Sequence, residues 1–207
     1  MLYWEKLTRG TEAAVSFHVL TADVAFTINK QRSYGEMNFP GHIISAYTKE
    51  THSFNFSDPL VEKAVSAIKK KDNYIEQLIE IRDYVNNSLD ITWPTGSETK
   101  ASDFLCQGVG RCYAHTIVFA ALARSMHIPA RAIGGLPVNK EQTTSGEHTR
   151  NQVYFPGTGW VDIDVQLDDG EGDTHSFNYF GFRSSTRYIC FAGYYDEIEQ
   201  ELSLIHI

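Results

Sequence analysis

The amino-acid sequence predicts an α+β fold, because helical and strand-like segments are grouped in separate parts of the chain and do not alternate. Amphipathic helical patterns lie in the middle of the chain, an almost wholly apolar run follows them, and two strand-like runs joined by a tight turn come next. With 207 residues, 42% of them hydrophobic, the chain can bury a core without disulfides or structural metals. We therefore expect one domain with a small appendage.

The appendage is the N-terminal segment, residues 1–54, which we predict to be β-rich and whose role is unknown. Strand-like runs rich in β-branched and aromatic residues lie at 14–20 and 24–29, and Pro40-Gly41 interrupts the pattern. We expect two or three strands with loops. At the other end, residues 202–207 resemble a translated sequencing adapter, and we expect them to be foreign to the natural protein.

Two amphipathic helices are predicted in the middle of the chain. The first begins at Ser57-Asp58-Pro59, where Ser57 or Asp58 is the N-cap and Pro59 lies in the first turn. The second extends from Tyr74 to Asn86, with apolar residues at helical spacing. A short helical turn at 101–105 is expected before the glycine-containing loop at 108–110.

A third helix, from Ala114 to Met126, is so apolar that we expect protein on all its sides. Cys112 stands directly before it. Unpaired N–H groups and the helix dipole favour a thiolate at this position, and such cysteines can reach pKa values of roughly 3.5–7.5. Cys112 is therefore a candidate nucleophile. The competing interpretation is a small buried core residue.

Strands are predicted at 130–134, 151–155 and 160–165, with a polar loop at 138–146 and a hairpin turn at 156–159. A thiol nucleophile needs a base, and the base needs a group that orients it. His148 and Asp164 on this hairpin fit those roles, because a turn centred on Pro156 would set them opposite each other on one sheet face. Asp162 alternates onto the same face and is the rival orienting group.

These residues resemble the transglutaminase-like superfamily of cysteine enzymes, over about residues 58–168. In that family a glycine and any residue precede the nucleophilic cysteine, which opens a buried helix. The helix ends in a Gly-Ile-Pro-Ala-Arg-like segment. A histidine strand, a Pro-Gly-x-Gly-Trp turn and an acid four positions beyond the Trp complete the pattern. The matching segments here are Gly110-Arg111-Cys112, His127-Ile128-Pro129-Ala130-Arg131, His148, Pro156–Trp160 and Asp164.

The resemblance implies a papain-like α+β transglutaminase core in residues 55–201, with the cysteine on a buried helix packed on an antiparallel β-sheet that carries the histidine and the acid. It implies Cys112 as nucleophile, His148 as base and then acid, and Asp164 as orienter. One departure is Arg150, which stands two residues after the histidine, where the family often has an aromatic residue.

The implied chemistry is attack of the thiolate on a peptide or protein amide and formation of an acyl-enzyme. Water as acceptor gives a peptidase or amidase, an amine gives a transglutaminase, and the sequence leaves this choice open. The oxyanion would bind the Cys112 backbone N–H and one side-chain donor, for which Gln107 and Trp93 are candidates. No cofactor or metal is expected.

Charge and hydrophobicity argue against nucleic-acid and membrane partners. A net charge of −8 argues against nucleic-acid binding, and no apolar run is long enough for membrane insertion. Three cysteines without framework spacing argue against a disulfide scaffold. Because Met1 is not followed by a secretory signal pattern, we expect a cytoplasmic chain, or a secreted or periplasmic one if residues upstream of Met1 are missing. The oligomeric state is open.

Three alternatives remain. The first is a structural zinc site formed by Cys106, Cys112 and His115, which would need a distant fourth ligand. The second is a catalytically inactive protein-interaction module on the same fold. The third is acetyl transfer to an arylamine by the same kind of triad, although the Arg-Gly-Gly-x-Cys approach typical of that chemistry is not matched by Gly108–Cys112.

Overall fold

A computed structural model of the protein describes residues 24–25, 28, 33–94, 96, 98–137, 147–166, 182–183 and 188–193, with the backbone alone for 24–25, 137, 182–183 and 188–193. The helices are a 3₁₀ turn at Tyr34–Glu36, α1 Gly41–Tyr47, α2 Pro59–Ala67, α3 Tyr74–Ser88, α4 Ala101–Gln107 and α5 Cys112–Ser125. The strands are β1 Val24–Ala25, β2 Ala130–Pro137, β3 His148–Phe155, β4 Gly159–Ile163, β5 Phe182–Arg183 and β6 Tyr188–Gly193.

The main sheet is four-stranded and antiparallel, with the order β4-β3-β2-β6, and β1 pairs with β5 in a separate two-stranded sheet. Helix α5 packs on β2 and β3 on one side and on α2, α3 and α4 on the other. The predicted α+β class is thereby confirmed: helices cover one face of an antiparallel sheet. No helix in the described ranges is long and apolar enough to cross a membrane, and the compartment stays a prediction.

The two amphipathic helices begin where local chemistry predicts. At α2, Asp58 is the N-cap and accepts a 2.9 Å hydrogen bond from the Leu60 N–H, with Pro59 as the first helical residue. At α3, the Asn73 side chain accepts from the N–H groups of Ile75 and Glu76. Each cap satisfies donors that a helix start leaves unpaired, so these boundaries depend on neighbouring residues alone.

Helix α5 is the buried helix of the prediction, and it begins two residues earlier than the apolar run, at Cys112. Its buried residues follow one another from Ala114 to Arg124, so none of its faces is solvated over that length. Arg124 is fully buried among them. Its Nε donates to the Ala130 carbonyl at 2.8 Å, and its guanidinium stacks on the Phe54 ring at 4.2 Å.

The N-terminal segment differs from the prediction in one described element. Residues 41–47 form helix α1, where strands and loops were expected. The break that we assigned to Pro40-Gly41 is a helix start, with Pro40 as its N-cap. Tertiary contacts explain the difference, because Ile43 is buried and Tyr47 packs edge-on against Trp160 at 4.6 Å.

The predicted strand at 14–20 lies outside the described residues. The described part of the segment contacts the rest of the fold: Tyr34 stacks on Tyr74, and the Ser53 carbonyl accepts from the Ala101 N–H at 2.9 Å. The boundary at residue 54, residues 202–207 and the loop at 138–146 stay predictions.

Candidate active site

A short loop between α4 and α5 places the cysteine. Gly108 ends α4 in the left-handed conformation, at φ +66°. Asp90 then clamps the loop, because its N–H donates to the Gly108 carbonyl at 2.9 Å and its carbonyl accepts from the Gly110 N–H at 3.0 Å. A Cβ on Gly110 would lie 2.1 Å from the Ala114 Cβ, so this position requires glycine.

Cys112 is the first residue of α5 and is half-buried. Burial raises the pKa of its thiol, but hydrogen bonds with His148 and with the backbone and side chain of Thr149 lower it, and the resulting pKa is about 7. A thiol with this pKa is about half ionised at neutral pH. Thr149 was not identified from the sequence, although it is adjacent to His148 in the chain.

His148 lies at the start of β3, and its Nε2 is 2.6 Å from the Asp164 Oδ2. Since a carboxylate only accepts, this ring nitrogen is the donor. Burial lowers the pKa of His148, whereas the hydrogen bonds with Asp164 and Cys112 raise it, to about 9. The thiol and the imidazole therefore favour a thiolate–imidazolium pair between about pH 7 and about pH 9.

The hairpin turn is centred one residue later in the chain than predicted. Phe155 pairs with Gly159 and Asn151 with Ile163, so the turn is centred on Gly157, at φ +87°. The predicted pivot at Pro156 is wrong, because the positive φ that the middle of this turn requires suits glycine and not proline. His148 and Asp164 are consequently diagonal neighbours. They still share a face, because an even number of positions separates them.

Asp162, the rival orienter, has other partners on the same face. Its Oδ1 accepts from the Gln152 Nε2 at 2.6 Å, and its Oδ2 lies 2.9 Å from an Arg150 guanidinium nitrogen. Arg150, the departure from the family pattern, is thus a buried member of an ion pair within the sheet. The Arg131 Nε extends this row by donating to the Gln152 Oε1 at 2.9 Å.

Two hydrogen bonds join the helix that carries the cysteine to the strand that carries the histidine. The Thr116 hydroxyl donates to the Thr149 hydroxyl at 3.2 Å, and the Asn151 Nδ2 donates to the Thr116 carbonyl at 3.0 Å. Because both are buried, they fix the position of α5 along β3 more firmly than apolar packing alone. Register on β3 therefore determines where His148 meets Cys112.

The two candidate oxyanion donors have different environments. Gln107, at the end of α4, donates through Nε2 to the Glu98 carboxylate, and its buried Oε1 has no hydrogen-bond partner among the described residues. Trp93 is 73% exposed, and the Arg111 guanidinium stacks over its ring at 4.4 Å. One N–H of Gln107 is thus engaged elsewhere, while Trp93 lies beside the residue that precedes the cysteine.

The zinc alternative does not fit the arrangement. Cys106 is exposed on α4, whereas the buried His115 has its Nδ1 3.0 Å from the Arg111 carbonyl oxygen. Within the described part of the chain, no group of three or more His, Cys, Asp or Glu side chains is arranged to hold a metal ion.

Comparison with known proteins agrees with this architecture. Residues 62–165, half of the chain, match the model of the transglutaminase-like superfamily. The uncharacterized protein YebA of Bacillus subtilis is 25% identical over 138 residues, covering 56% of this chain and 19% of that protein. The chain thus spans about a fifth of the length of this relative.

One solved structure shares the fold at low sequence identity, and a second is less similar. The crystal structure of a "Putative Cysteine Protease" from Cytophaga hutchinsonii is 20% identical with a TM-score of 0.53, covering 74% of this chain and 49% of that one. Red sea bream transglutaminase is 14% identical with a TM-score of 0.48, covering 66% of this chain and 34% of that one. At such identity the likeness to the first structure concerns the fold alone.

Proposed function

Because the chain belongs to the transglutaminase-like superfamily, we propose that it is a cysteine-dependent amide hydrolase or acyltransferase that works through an acyl-enzyme on Cys112. The observation that carries the proposal is the hydrogen-bonded row from the Cys112 thiol through His148 to Asp164, with a thiol pKa of about 7. A row in which the nucleophile, its base and an orienting acid are bonded in sequence is the arrangement that nucleophilic catalysis requires.

The first half-reaction forms the acyl-enzyme. The Cys112 thiolate attacks the carbonyl carbon of a peptide or protein amide, and negative charge develops on the carbonyl oxygen. His148, protonated at this stage, gives its proton to the leaving amine as the C–N bond breaks. The amine departs neutral, the acyl group stays on the sulfur as a thioester, and the imidazole becomes the base for the second half.

Asp164 keeps the imidazole in the orientation that this proton transfer needs. Its carboxylate accepts from Nε2 at 2.6 Å, which leaves Nδ1 as the ring nitrogen for the thiol. The same negative charge favours the protonated ring, as the raised pKa of His148 indicates. Asp164 thus sets both the ring orientation and the proton supply, and it does not itself react.

The oxyanion would bind the backbone N–H of Cys112. In the first turn of a helix this N–H has no acceptor within the helix. The Arg111 side chain makes no capping hydrogen bond within the described part of the chain. Trp93 and Gln107 both stay candidates for the second donor: the Arg111 guanidinium stacks on the Trp93 ring, and one of the two amide N–H groups of Gln107 is engaged by Glu98.

The second half-reaction decides between the two activities. Water activated by His148 would release a carboxylic acid, and an amine would release a new amide. We propose hydrolysis, since family members of this small type without a calcium signature resemble peptidases and amidases. A primary amine added to the assay tests this choice, because a transglutaminase would divert the acyl group to it.

The pH dependence of Cys112 alkylation by iodoacetamide tests the site, with mass spectrometry assigning the modified residue. We expect labelling to rise through about pH 7 in the wild type. His148→Ala removes one of the hydrogen-bond partners that lower the pKa of Cys112, while the thiol stays buried. The pH at which labelling rises should therefore be higher than in the wild type. Cys106, which is exposed in the same chain, is the internal reference for the reagent.

Acyl transfer is tested on the same proteins with peptide amides and esters, by searching for an acyl adduct on Cys112. An adduct that forms in the wild type and not in Cys112→Ala or His148→Ala supports the enzyme. A wild-type thiol that labels only at alkaline pH and never takes an acyl group contradicts the enzyme and favours the interaction module.

A further inference from the structure

His115 is a buried histidine that the proposed mechanism does not use. It lies three residues after Cys112 on α5 and is 1% exposed. Its ring Nδ1 is 3.0 Å from the Arg111 carbonyl oxygen, and its own backbone N–H donates to the same oxygen at 3.1 Å. Because a carbonyl only accepts, Nδ1 must carry a proton. One residue therefore gives two hydrogen bonds to one carbonyl.

Burial also affects the protonation of the ring. Burial is the main influence on the pKa of His115 and lowers it, although the hydrogen bond to the Arg111 backbone and the charge of Asp164 oppose this. A neutral ring has one N–H, and the hydrogen bond to the Arg111 carbonyl uses it.

The carbonyl that His115 binds belongs to the peptide unit of the nucleophile. Arg111 C=O and Cys112 N–H are the two ends of one planar trans peptide, so the direction of one fixes the direction of the other. A hydrogen bond accepted by the carbonyl also polarises the N–H at the opposite end. First-turn peptides have few partners and fray, so an extra donor here has a marked effect on orientation.

We propose that His115 is a positioning residue for the oxyanion site: its Nδ1–H holds the Arg111–Cys112 peptide so that the Cys112 N–H is directed at the developing oxyanion. This inference rests on the proposed acyl-enzyme chemistry. It assigns His115 no contact with substrate and no part in proton transfer. Its effect is confined to steps in which a carbonyl oxygen gains charge.

Two reactions of the same thiol separate this role from general support of the fold. Iodoacetamide alkylation forms an S–C bond at a saturated carbon and expels iodide, so no oxyanion develops. Acylation by p-nitrophenyl acetate forms the S–C bond at a carbonyl and passes through an oxyanion. The C–O bond then breaks, and p-nitrophenolate leaves with the bonding pair. The ratio of the two rates therefore reports the oxyanion site.

The variants are His115→Leu, His115→Asn and His115→Gln in the full chain, with Cys112→Ala as background. Leucine removes the donor. Asparagine places its amide N–H near the Nδ1 position, and glutamine places it near Nε2. We expect acylation to fall roughly 10- to 100-fold in His115→Leu while alkylation changes less than about twofold, as is typical of small misplacements in a reacting site. His115→Asn should recover most of the acylation rate, and His115→Gln should recover little.

Gln77→Leu is the matched control. Gln77 is also buried, and it bonds the backbone at Lys69 and Lys71, far from the nucleophile in the chain. Its loss should lower stability without changing the ratio of the two rates. If His115→Leu does not fold, the Asn and Gln variants still decide, since both keep a polar side chain and differ in where the donor lies.

Equal losses of alkylation and acylation in the His115 variants, or no loss of either, would overturn the proposal. So would an Asn variant no better than the Gln variant. A wild-type protein that is alkylated rapidly but not acylated would instead refute the acyl-enzyme itself, and His115 would lose its role with it. Normal wild-type acylation with unchanged variants refutes the His115 proposal alone.

Discussion

The two faces of strand β3 are both largely buried, yet they have opposite chemistry. The face that packs on the body of α5 carries Thr149, Asn151, Val153 and Phe155. Alternation puts His148, Arg150, Gln152 and Tyr154 on the other, with His148 at the strand end, where it bonds Cys112 at the start of α5. The first face packs apolar groups and bonds to one helix, whereas the second pairs charged and polar groups with β2 and β4. Because strand side chains alternate, a slip of one residue would exchange the two sets.

The difference indicates that one face of β3 holds the strand in place and the other arranges the candidate catalytic groups. Apolar burial and two hydrogen bonds to α5 fix where the strand lies, and the polar face uses that fixed position to align His148 with its acid and its thiol. Changes on the first face should therefore alter stability more than reactivity. Changes on the second should alter reactivity, or expose a buried charge.

The largest expected effect is on the polar face, in Asp164→Asn. Losing the carboxylate removes the strongest influence that raises the pKa of His148 and permits the wrong ring tautomer. We expect the acylation rate to fall by roughly 10²- to 10⁴-fold, measured with p-nitrophenyl acetate at pH 8. The control is Asp162→Asn, whose amide oxygen can still accept from Gln152 but which loses the ion pair with Arg150, so the rates are compared per folded protein. If both variants lose the same rate, Asp164 has no special role.

Arg150→Met should give the next largest effect, and on stability. It leaves the buried Asp162 carboxylate without the guanidinium 2.9 Å away, and breaking such a pair costs about 3 kcal/mol. Denaturant unfolding measures this cost. The double variant Arg150→Met, Asp162→Asn removes both charges and should recover most of it. A single variant as stable as the wild type would mean that the pair contributes nothing.

Val153→Ala tests the apolar face. Val153 is fully buried against the helix layer, and the lost methyl groups should lower the free energy of unfolding by about 2 kcal/mol. Thermal unfolding followed by circular dichroism gives the value. The alkylation profile of Cys112 should keep its midpoint at about pH 7, since no partner of the thiol changes. A shifted midpoint would show that packing and reactivity are coupled.

Thr149→Val should have the smallest effect, because Thr149 belongs to the packing face but also bonds the thiol. The hydroxyl bonds to Thr116 and Cys112 are lost, while the backbone bond from Thr149 to Cys112 remains. Stability should fall by about 1 kcal/mol. The alkylation midpoint should move upward from about pH 7, by less than in His148→Ala. A downward shift would mean that the hydroxyl does not stabilise the thiolate.

The hairpin shows what the spacing of its residues could predict and what it could not. The even separation of His148 and Asp164 placed them on one face, whichever residue formed the pivot. The pivot itself was assigned to Pro156 and lies at Gly157. The residue at the centre of this turn takes a positive φ, which glycine permits and proline does not, so the residue types at 156 and 157 favoured Gly157 and the prediction overlooked this.

The sequence by itself determined the features that neighbouring residues control. Asp58 and Asn73 begin helices because their side chains reach N–H groups two or three residues away. The apolar run after Cys112 forms a buried helix because none of its faces suits water. The capping bonds are local, and the apolar pattern lies within one continuous segment, so both can be recognised before the chain is packed.

Tertiary structure alone decided the rest. Residues 41–47 form helix α1 because Ile43 is buried and Tyr47 packs against Trp160. Arg150 and Asp162 became ion partners only once the register of β3 and β4 was set. The thiol pKa of about 7 is likewise a balance between burial and bonds from a strand far along the chain. Desolvation and partner choice depend on distances between distant segments, and those distances exist only in the folded chain.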